Sequence, residues 1–453
     1  MNRSLQKDRA SHRGWSLLVA AVGVATLAAA CGSSSTTSSA SGKTATINVW
    51  WVTNGTNVND LWSSIATDFD NAHPGDKVTI DIEPSSNSYK TKLLTALGTS
   101  SPPALFFSWG GGPMQQYISA KVIQPLGDPG QSDAGSPSWK DKFLASSLDA
   151  VTFNKQIYGM PILGTQPVFF FYNKAVFSAA GLSFPTTWTD LLSDVQTFNS
   201  KGITPIALGN ADQWEGLMYL EYLTDRIGGP GVFQAIELGK PGAWSNPAVI
   251  KALADIQQLA KAGAFQSGYD SLHYSGGGSD ALVYSGKAAI QLMGDWDVSQ
   301  MLGLDKSFVA SGDLGLAPFP AVAGGAGNAA DLAGNTASYV AVSSHASPAA
   351  KTAAEAFMQD VLASASYAKA TVGAGEVPVI KGATGLFAGQ QLSSYDQTIY
   401  TSVQQAPSFQ YSWDQAVPPQ EATPMLAGLA QVFELTMTPQ KYAATMDSQP
   451  SGA

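Results

Sequence analysis

The chain has 453 residues, a formal net charge of −10 and only 13% charged residues. This length exceeds what one hydrophobic core usually organises, so we expect two lobes. The acidic balance disfavours nucleic acid as a partner, because a nucleic-acid site needs a basic surface. Beyond Arg13 the only arginine is Arg226, so the chain is poorly equipped to bind phosphate or carboxylate through guanidinium forks.

The first 43 residues have the layout of an export signal. A short basic start precedes an apolar stretch at 15–30, and a Ser/Thr/Gly-rich tract at 33–43 follows the single cysteine, Cys31. The apolar stretch is short for a membrane-spanning helix and has no second charged flank. We therefore predict a signal peptide at 1–30 and, from Cys31 to residue 43, a flexible tether.

The residues before the predicted cut, Leu27, Ala28, Ala29 and Ala30, resemble with Cys31 the lipobox of bacterial lipoproteins. Leu27 lies four places before the cysteine, whereas that family usually has its large aliphatic residue three places before. The resemblance implies that Cys31 is lipidated and holds the protein on the outer face of the cytoplasmic membrane, since two acyl chains anchor durably. An ordinary signal peptide with a chance cysteine is the alternative.

The amino-terminal part of the exported chain alternates strand and helix patterns. Residues 46–52, 78–83 and 104–107 are β-branched or apolar runs typical of strands. Apolar residues at helical spacing predict helices over 59–71 and 89–97. The order strand, helix, strand, helix, strand predicts a parallel α/β sheet with right-handed crossovers.

The rest of the chain is richer in helix patterns. Strands are expected at 168–172, 288–293 and 339–342, and helices at 188–198, 216–227, 248–262, 348–362, 421–435 and 439–446. The Gly/Ala-rich stretch 321–335 indicates a loop. The sequence shows no internal repeat.

Six segments follow one another in an order typical of one protein family. They are TATINVWW at 44–51, YGMPI at 158–162, FFFYNKAVFSAAG at 169–181, PTTWTDLL at 185–192, GKAAIQLMGDWD at 286–297 and SPAAKTAAEAFMQDVL at 347–362. Together they resemble the extracellular solute-binding proteins of ABC importers, in the sugar-binding branch that includes maltose-binding protein. The set covers nearly the whole exported chain.

This resemblance implies an α/β fold of two lobes, the type II periplasmic-binding-protein-like fold, with the ligand cleft between the lobes. The implied divisions are lobe one at 44–158 plus 316–372, lobe two at 161–313 plus 376–453, and hinge crossings near 158–162, 313–316 and 372–376. Such proteins close over their ligand by hinge motion, and the permease reads the closed form.

A sugar presents patches of C–H groups on its ring faces and hydroxyls around its rim. Aromatic faces match the C–H patches, and carboxylates or amides accept the hydroxyl protons. A sugar cleft therefore needs tryptophans on both lobes with polar side chains between them. The resemblance implies these ligand-binding candidates: Trp51, Thr53, Asn54, Trp109, Gln166, Trp214, Glu215, Asp295, Trp296, Asn335, Glu376, Trp413 and Asp414.

Core packing is the alternative role for each of these tryptophans. Trp50 and Trp51 must face opposite sides of one strand, so at least one of them is core. Trp109 ends a buried strand and lies where ligands meet the carboxyl ends of strands. Gly294, two places before Trp296, lets a ligand approach the backbone.

The sequence therefore predicts a lipid-anchored, monomeric binding component that delivers a neutral mono- or oligosaccharide to ABC permease subunits. We expect no enzymatic activity, no cofactor and no nucleic-acid partner. His73, His273 and His345 lack metal-ligand spacing, so no metal site is expected. The alternatives are a secreted glycan-acting hydrolase, which needs two carboxylates about 5–10 Å apart across a sugar, and a sugar sensor or adhesin.

Overall fold

The computed structural model describes residues 45–53, 55–127, 139–389 and 393–449. The predicted signal peptide, Cys31 and the tether lie outside these residues, and so does the candidate Asn54. None of the helices in the described ranges is long and apolar enough to cross a membrane.

The strands are numbered in chain order. They are β1 Ala45–Val52, β2 Asp76–Glu83, β3 Leu105–Ser108, β4 Thr152–Phe153, β5 Gln156–Ile157, β6 Met160–Leu163, β7 Gln166–Asn173, β8 Thr204–Ala207, β9 Ala288–Gly294, β10 Leu314–Ala317, β11 Leu332–Asn335, β12 Ser338–Val342 and β13 Phe409–Tyr411.

The α-helices are numbered in the same way. They are α1 Thr56–Ala72, α2 Ser86–Leu97, α3 Gly111–Ser119, α4 Ser146–Asp149, α5 Lys174–Ala180, α6 Trp188–Ser200, α7 Trp214–Gly228, α8 Gly231–Glu237, α9 Pro247–Lys261, α10 Gly278–Tyr284, α11 Asp297–Leu304, α12 Lys306–Ala310, α13 Pro348–Phe357, α14 Ala365–Gly373, α15 Ser393–Gln405, α16 Trp413–Ala416, α17 Pro419–Phe433 and α18 Pro439–Asp447.

Most predicted elements are confirmed, and side-chain caps explain several helix starts. Ser85, Thr187 and Ser347 each accept a hydrogen bond from the backbone N–H three residues later, at the starts of α2, α6 and α13. The helix predicted over 348–362 is α13 followed by a π-helical turn at Met358–Leu362.

Lobe one is built on a sheet with the strand order β2-β1-β3-β12-β6. β1 pairs in parallel with β2 and β3, which confirms the parallel arrangement predicted from the sequence. β12 and β6 extend this sheet in antiparallel pairs. Ile47, Val49 and Trp51 are buried on one face of β1 and form a core with Trp62 of α1.

Lobe two is built on a sheet with the order β13-β11-β7-β9-β8, and β10 also pairs with β7. The apolar run of β7 is buried along almost its whole length, as expected for a strand covered on both faces. α7 packs against β9 and is buried from Glu215 to Arg226. The two sheets and their separate cores confirm the expected two-lobe α/β fold.

Three crossings carry the chain between the lobes. Residues 164–165 join β6 to β7, and residues 336–337 join β11 to β12. The third crossing is 374–382, which contacts both cores: Val377 packs in the core of lobe two and Val379 in that of lobe one.

Two predicted lobe boundaries are wrong. Residues 160–163 form β6 of the first sheet, so the first crossing lies after the predicted 158–162. β10 and β11 belong to the second sheet, so residues 316–335 are part of lobe two and the second crossing is not at 313–316. The predicted loop 321–335 ends in β11, a short strand without a hydrophobic pattern that backbone pairing with β7 and β13 specifies.

Candidate functional site

A cleft with about 950 Å³ of empty space, part of it open to solvent, lies between the lobes. Lobe one lines it with the residues after β1 and β3 and with the start of α2. Lobe two lines it with the start of α7, the turn after β9 and the start of α16. The strand ends next to the first two crossings contribute Gln166, Asn335 and Ser338. Thr53, after β1, also lines the cleft and accepts a hydrogen bond from Asn59.

On lobe one the cleft is lined by the half-buried indole of Trp109. Phe107 and Tyr89 pack nearly perpendicular to it, with ring centroids 4.7 Å and 6.0 Å away. These two contacts fix the orientation of the Trp109 ring, because edge contacts between aromatic rings are directional.

On lobe two, Trp214 and Trp296 line the cleft beside Tyr274. The two indole centroids lie 6.2 Å apart at 56°, and Tyr274 contacts Trp214 edge-on at 5.5 Å. Gly294 is required here, because a Cβ at this position would stand 2.0 Å from the Trp296 ring. Indoles therefore line both walls of the cleft.

Lys90 on α2 reaches across the cleft. Its ammonium lies 3.3 Å from Asp414 Oδ2 and 4.8 Å from the centroid of the Trp109 ring. Asp414 also accepts hydrogen bonds from Ser412 Oγ (3.1 Å) and Gln415 Nε2 (2.6 Å). The charges of Lys90 and Asp414 thus compensate each other within the cleft.

Three further hydrogen bonds join the walls, two from Asn87 and one from Tyr411. Asn87 Nδ2 donates to the backbone oxygen and to Oδ1 of Asp212, both at 3.3 Å, and Asp212 Oδ2 lies 3.1 Å from His273 Nδ1. The hydroxyl of Tyr411 donates to the backbone oxygen of Trp109. The lobes are therefore in direct contact through these hydrogen bonds in this conformation.

Several polar atoms on cleft-lining residues are buried without a hydrogen-bond partner. They include Trp214 Nε1, Asn335 Oδ1 and Gln415 Oε1. The Gln415 amide nitrogen donates to the Asp414 carboxylate, so its oxygen is left to accept. An unmade hydrogen bond at a buried polar atom costs about 1–3 kcal/mol, so a ligand with hydroxyl groups would relieve this cost.

Gln300 and Tyr274, which also line the cleft, are held from behind by two buried carboxyls. Gln300 Nε2 donates to Asp280 at 2.9 Å, and the Tyr274 hydroxyl donates to Asp297 at 3.1 Å. Gln291 Nε2 bridges Asp280 and Asp297. Burial, and then the neighbouring Asp280, raise the pKa of Asp297 well above its usual range. Protonation of one carboxyl lets the pair lie together without repulsion.

Two candidate tryptophans belong to the hydrophobic cores and do not line the cleft. Trp51 is fully buried, with its ring centroid 3.9 Å from that of Trp62. Trp413 is fully buried and stacks on Phe233 at 4.8 Å and 7°. The prediction that Trp51 and Trp413 stack on the ligand is wrong. Strand alternation places Trp51 in the lobe-one core, and stacking on Phe233 places Trp413 in the lobe-two core. Trp50 lies outside the cleft as well and contacts Lys92.

Three candidate carboxyls lie behind the cleft wall. Glu215 is buried beside Trp214, and Asp295 and Glu376 are 3% and 1% exposed. Burial raises the pKa of all three, and that of Glu376 to about 8. Their placement as hydroxyl acceptors is wrong, since none of them lines the cleft.

The remaining described candidates do line the cleft, and their role in binding stays a prediction. They are Thr53, Trp109, Gln166, Trp214, Trp296, Asn335 and Asp414. Sequence reasoning missed Lys90, Asp212, Tyr274, Gln300 and Gln415. A local signal existed for some of them: Gln300 lies four residues after Trp296, and Gln415 adjoins Asp414.

Arg226 does not reach the cleft. It is 1% exposed, pairs with Asp225 at 2.6 Å and donates to the backbone oxygens of Ala329 and Asp331. It therefore fastens the segment before β11 to α7. Across the described ranges, no group of three His, Cys, Asp or Glu residues is arranged to hold a metal ion.

Comparisons with known proteins agree with this architecture. An uncharacterized ABC transporter extracellular-binding protein of Pyrococcus horikoshii is 26% identical over 315 residues, 67% of this chain and 68% of that protein. A structure solved in work on xylan utilization by the thermophilic bacterium Caldanaerobius polysaccharolyticus has a TM-score of 0.80 and 27% identity, and covers 89% of this chain and 99% of that chain.

A chitin oligosaccharide binding protein is similar at a TM-score of 0.78 and 25% identity, over 89% of this chain and 97% of that chain. The sequence model of the bacterial extracellular solute-binding protein family matches residues 55–369, which include β2 to β12 and most of the residues that line the cleft. With two lobes, a cleft between them and this match, the chain belongs to the bacterial extracellular solute-binding proteins.

Proposed function

We propose that this protein is the extracellular substrate-binding component of an ABC importer and that its ligand is a neutral mono- or oligosaccharide. The observation that carries the proposal is the presence of indoles on both walls of the cleft, Trp109 on lobe one and Trp214 with Trp296 on lobe two. Sugar rings present C–H faces that aromatic rings bind well. A ligand gripped between these walls holds the lobes together, and the permease then takes it from the closed form.

The polar groups of the cleft support a ligand rich in hydroxyls. Asn335 Oδ1 and Gln415 Oε1 are acceptors without a partner, and Trp214 Nε1 is a donor without one. A sugar hydroxyl can serve either kind of atom, because it both donates and accepts.

The charges of the cleft support a neutral ligand. The Lys90 ammonium is paired with Asp414, and Arg226 is held elsewhere in lobe two. An anionic ligand would have to break the Lys90 pair and would meet the carboxylate of Asp212 as well. The names of related proteins, one binding chitin oligosaccharide and one studied for xylan utilization, support the same class.

The hydrogen bonds and ion pairs of the carboxylates in the cleft favour binding over hydrolysis. Asp212 is bonded to Asn87 and His273, and Asp414 to Lys90, Ser412 and Gln415. Glycoside hydrolysis needs one carboxyl free to give its proton to the leaving oxygen and a second one opposite. Asp212 and Asp414 both lie on lobe two and already have hydrogen-bond or ion-pair partners, so they do not form a pair of free carboxyls on opposite sides of a sugar.

Calorimetry with a small panel of oligosaccharides tests the proposal. The panel is xylohexaose, chitohexaose, maltohexaose and the anionic trigalacturonate. We expect binding of at least one neutral sugar, no binding of trigalacturonate and no new reducing ends after overnight incubation. Binding of trigalacturonate alone would contradict the neutral-ligand assignment, and release of reducing ends would replace the binding role by hydrolysis.

The proposal includes a lipid anchor on Cys31, which supports a location on the outer face of the cytoplasmic membrane. Labelled palmitate supplied to cells should enter the protein, and Cys31→Ser should abolish the label and release the chain from the membrane. The matched control is Ser33→Ala, which keeps the cysteine and should keep the label. Labelling of the Cys31→Ser variant would show that the anchor is elsewhere.

A further inference from the structure

Gln300 is a polar residue of the cleft whose amide nitrogen is already bound within lobe two. It lies on α11, is half-buried and lines the cleft, and its Nε2 donates to Asp280 Oδ2 at 2.9 Å. A Cβ on Gly55, just before α1 of lobe one, would stand 3.3 Å from the Gln300 Cα. Gln300 therefore lies where the two lobes meet.

Asp280 lies behind the cleft wall, in the first turn of α10, and is fully buried. Its other oxygen, Oδ1, accepts a hydrogen bond from Gln291 Nε2 of β9 at 2.7 Å. The same nitrogen donates to Asp297 at 3.2 Å, so both hydrogens of the Gln291 amide are engaged. Asp280 is thus held from behind by β9 and binds Gln300 in front.

The hydrogen bonds of Asp280 determine its charge. Both of its oxygens accept from amide nitrogens, which can only donate. Burial raises the pKa of Asp280, while the hydrogen bonds from Gln291 and Gln300 act against that rise. Asp280 is therefore the ionised member of its pair with Asp297. A carboxylate has no hydrogen to offer, so the nitrogen end of the Gln300 amide must face it.

The orientation of this amide decides what the cleft wall offers to a ligand. With the nitrogen of Gln300 on Asp280, the amide oxygen is the end left for a ligand, and it is an acceptor. The reversed amide would place its oxygen against a carboxylate oxygen and leave a buried acceptor unpartnered, which costs about 1–3 kcal/mol. The observed orientation is therefore strongly preferred.

Gln415 repeats this arrangement at the start of α16. Its Nε2 donates to Asp414 Oδ2 at 2.6 Å, and its Oε1 is buried without a hydrogen-bond partner. Gln300 and Gln415 both line the cleft, and each has its nitrogen on an aspartate. The same polarity occurs at two separate places on the lobe-two wall.

We propose that Asp280 is a positioning residue of the cleft: it holds the Gln300 amide with its oxygen toward the ligand, so that this part of the wall accepts hydrogen bonds from ligand hydroxyls. Asp280 acts through Gln300 and does not line the cleft itself. The part that concerns hydroxyls rests on the proposed function, whereas the orientation of the amide does not.

Hydrogen exchange of the glutamine side-chain amides, followed by NMR in the sugar-free protein, tests the orientation. The signals of Gln300 are those that Gln300→Met removes. We expect its bonded amide hydrogen to exchange about tenfold more slowly than those of the exposed Gln116, and to lose this protection in Asp280→Asn. Equal exchange at Gln300 and Gln116, or unchanged protection in Asp280→Asn, overturns the proposal.

Calorimetry with xylohexaose, chitohexaose and maltohexaose tests the consequence for whichever of these sugars binds. Asp280→Asn and Gln300→Met should each weaken binding about tenfold, because a ligand hydroxyl loses an oriented acceptor. The two changes together should weaken it no more than Gln300→Met alone, since Asp280 acts through Gln300. Losses that simply add would show a merely structural role and overturn the proposal.

A rescue variant separates positioning from packing. Asp280→Asn combined with Gln300→Glu moves the carboxylate to the cleft wall, where the new asparagine can donate to it and one of its oxygens still faces the ligand. This variant should recover most of the affinity that Asp280→Asn loses. A combined variant that binds as weakly as Asp280→Asn alone contradicts the positioning role.

The matched control is Asp194→Asn, which changes another buried acid of lobe two, on α6 and outside the cleft. It should keep both the affinity and the protection of Gln300, and a loss equal to that in Asp280→Asn overturns the proposal. If none of the three hexaoses binds the unmodified protein, the proposed function fails, while hydrogen exchange still decides the orientation of Gln300. If circular dichroism shows that Asp280→Asn is unfolded, the unmodified protein decides: slower exchange at Gln300 than at Gln116 supports the inference, and equal exchange overturns it.

Discussion

The ammonium of Lys90 and the carboxylate of Asp414, which come from opposite lobes, form an ion pair 3.3 Å long across the cleft. The side chains are 34% and 5% exposed, so the pair is screened on one side only. Opening of the lobes must break it. The ion pair thus links the lobe-one and lobe-two walls of the cleft, which also carry the indoles.

Lys90→Met should loosen closure without harming the fold of either lobe. Methionine keeps the unbranched apolar stem, and Asp414 keeps its bonds to Ser412 and Gln415. We expect no more than about 1 kcal/mol of lost closing free energy, since a partly exposed pair is weakened by solvent. Scattering measurements should show a larger radius in low salt and a smaller difference in high salt.

Lys77→Met is the matched control for this variant. Lys77 forms an ion pair with Asp70 on the surface of lobe one, away from the cleft. The same chemical change there should leave the radius unaltered at every salt concentration. An equal effect of both variants would show that the Lys90 pair has no special part in closure.

Trp296→Ala should weaken sugar binding strongly while the protein stays folded. The indole is half-buried, lines the cleft and contacts Trp214. An aromatic contact contributes about 0.5–1.5 kcal/mol beyond area burial, and the lost area adds more. A fall in affinity of at least about tenfold is therefore expected in calorimetry with whichever hexaose of the panel binds.

Trp50→Ala is the control for removing an indole that does not line the cleft. Trp50 is also half-buried but lies outside the cleft against Lys92. Its removal should leave the affinity within about twofold. If Trp296→Ala binds the hexaose as tightly as the unmodified protein, the lobe-two wall is not a sugar-stacking surface.

Gly294→Ala should disturb the same wall through the backbone. The added methyl would lie 2.0 Å from the Trp296 ring, so the indole must leave its present position. We expect a loss of affinity similar to that of Trp296→Ala, together with a changed fluorescence spectrum of the sugar-free protein. Gly231→Ala is the control, since a methyl at that helical position meets nothing within 4 Å. Equal affinity in both variants would contradict the assigned role of Gly294.

The two-lobe architecture was predictable because most of its strands and helices have strong periodic patterns. The parallel start of lobe one and the buried strand β7 are confirmed on these grounds. The lobe boundaries were not predictable in the same way. β10 and β11 are four residues long, and their membership of the second sheet is decided by backbone pairing with β7, which no side-chain pattern reveals.

The candidate site was predictable where a residue follows a strand and precedes a helix, as Trp109 and Trp296 do. The sequence alone could have excluded Trp51 as a ligand-binding residue. Side chains alternate along a strand, so Trp51 lies on the same buried face of β1 as Ile47 and Val49. Trp413 could not be excluded in this way, because its burial depends on stacking with Phe233, which is 180 positions earlier in the chain. Lys90 was missed since only the folded protein brings it to Asp414.

Glu221→Gln should make the protein less sensitive to alkaline pH. Glu221 is fully buried on α7; its Oε1 accepts a hydrogen bond from the Trp413 N–H (2.7 Å) and lies 3.0 Å from Ser412 Oγ. Its other oxygen has no partner, and burial raises the pKa to about 8. A group whose pKa is raised in the folded state binds a proton that the unfolded chain has already lost above its ordinary value.

The direction of the change in stability with pH follows from this raised pKa. The stabilising effect of the bound proton is complete below about pH 4 and is lost as pH rises toward 8, so the unmodified protein should melt at lower temperature at pH 9 than at pH 6. Glutamine is neutral at both values, so Glu221→Gln should reduce this difference. Glu434→Gln, on an exposed acid of the same lobe, should leave it as it is. Thermal unfolding at the two pH values measures the difference, and a Glu221→Gln variant as pH-sensitive as the unmodified protein would mean that Glu221 is ionised in the folded state.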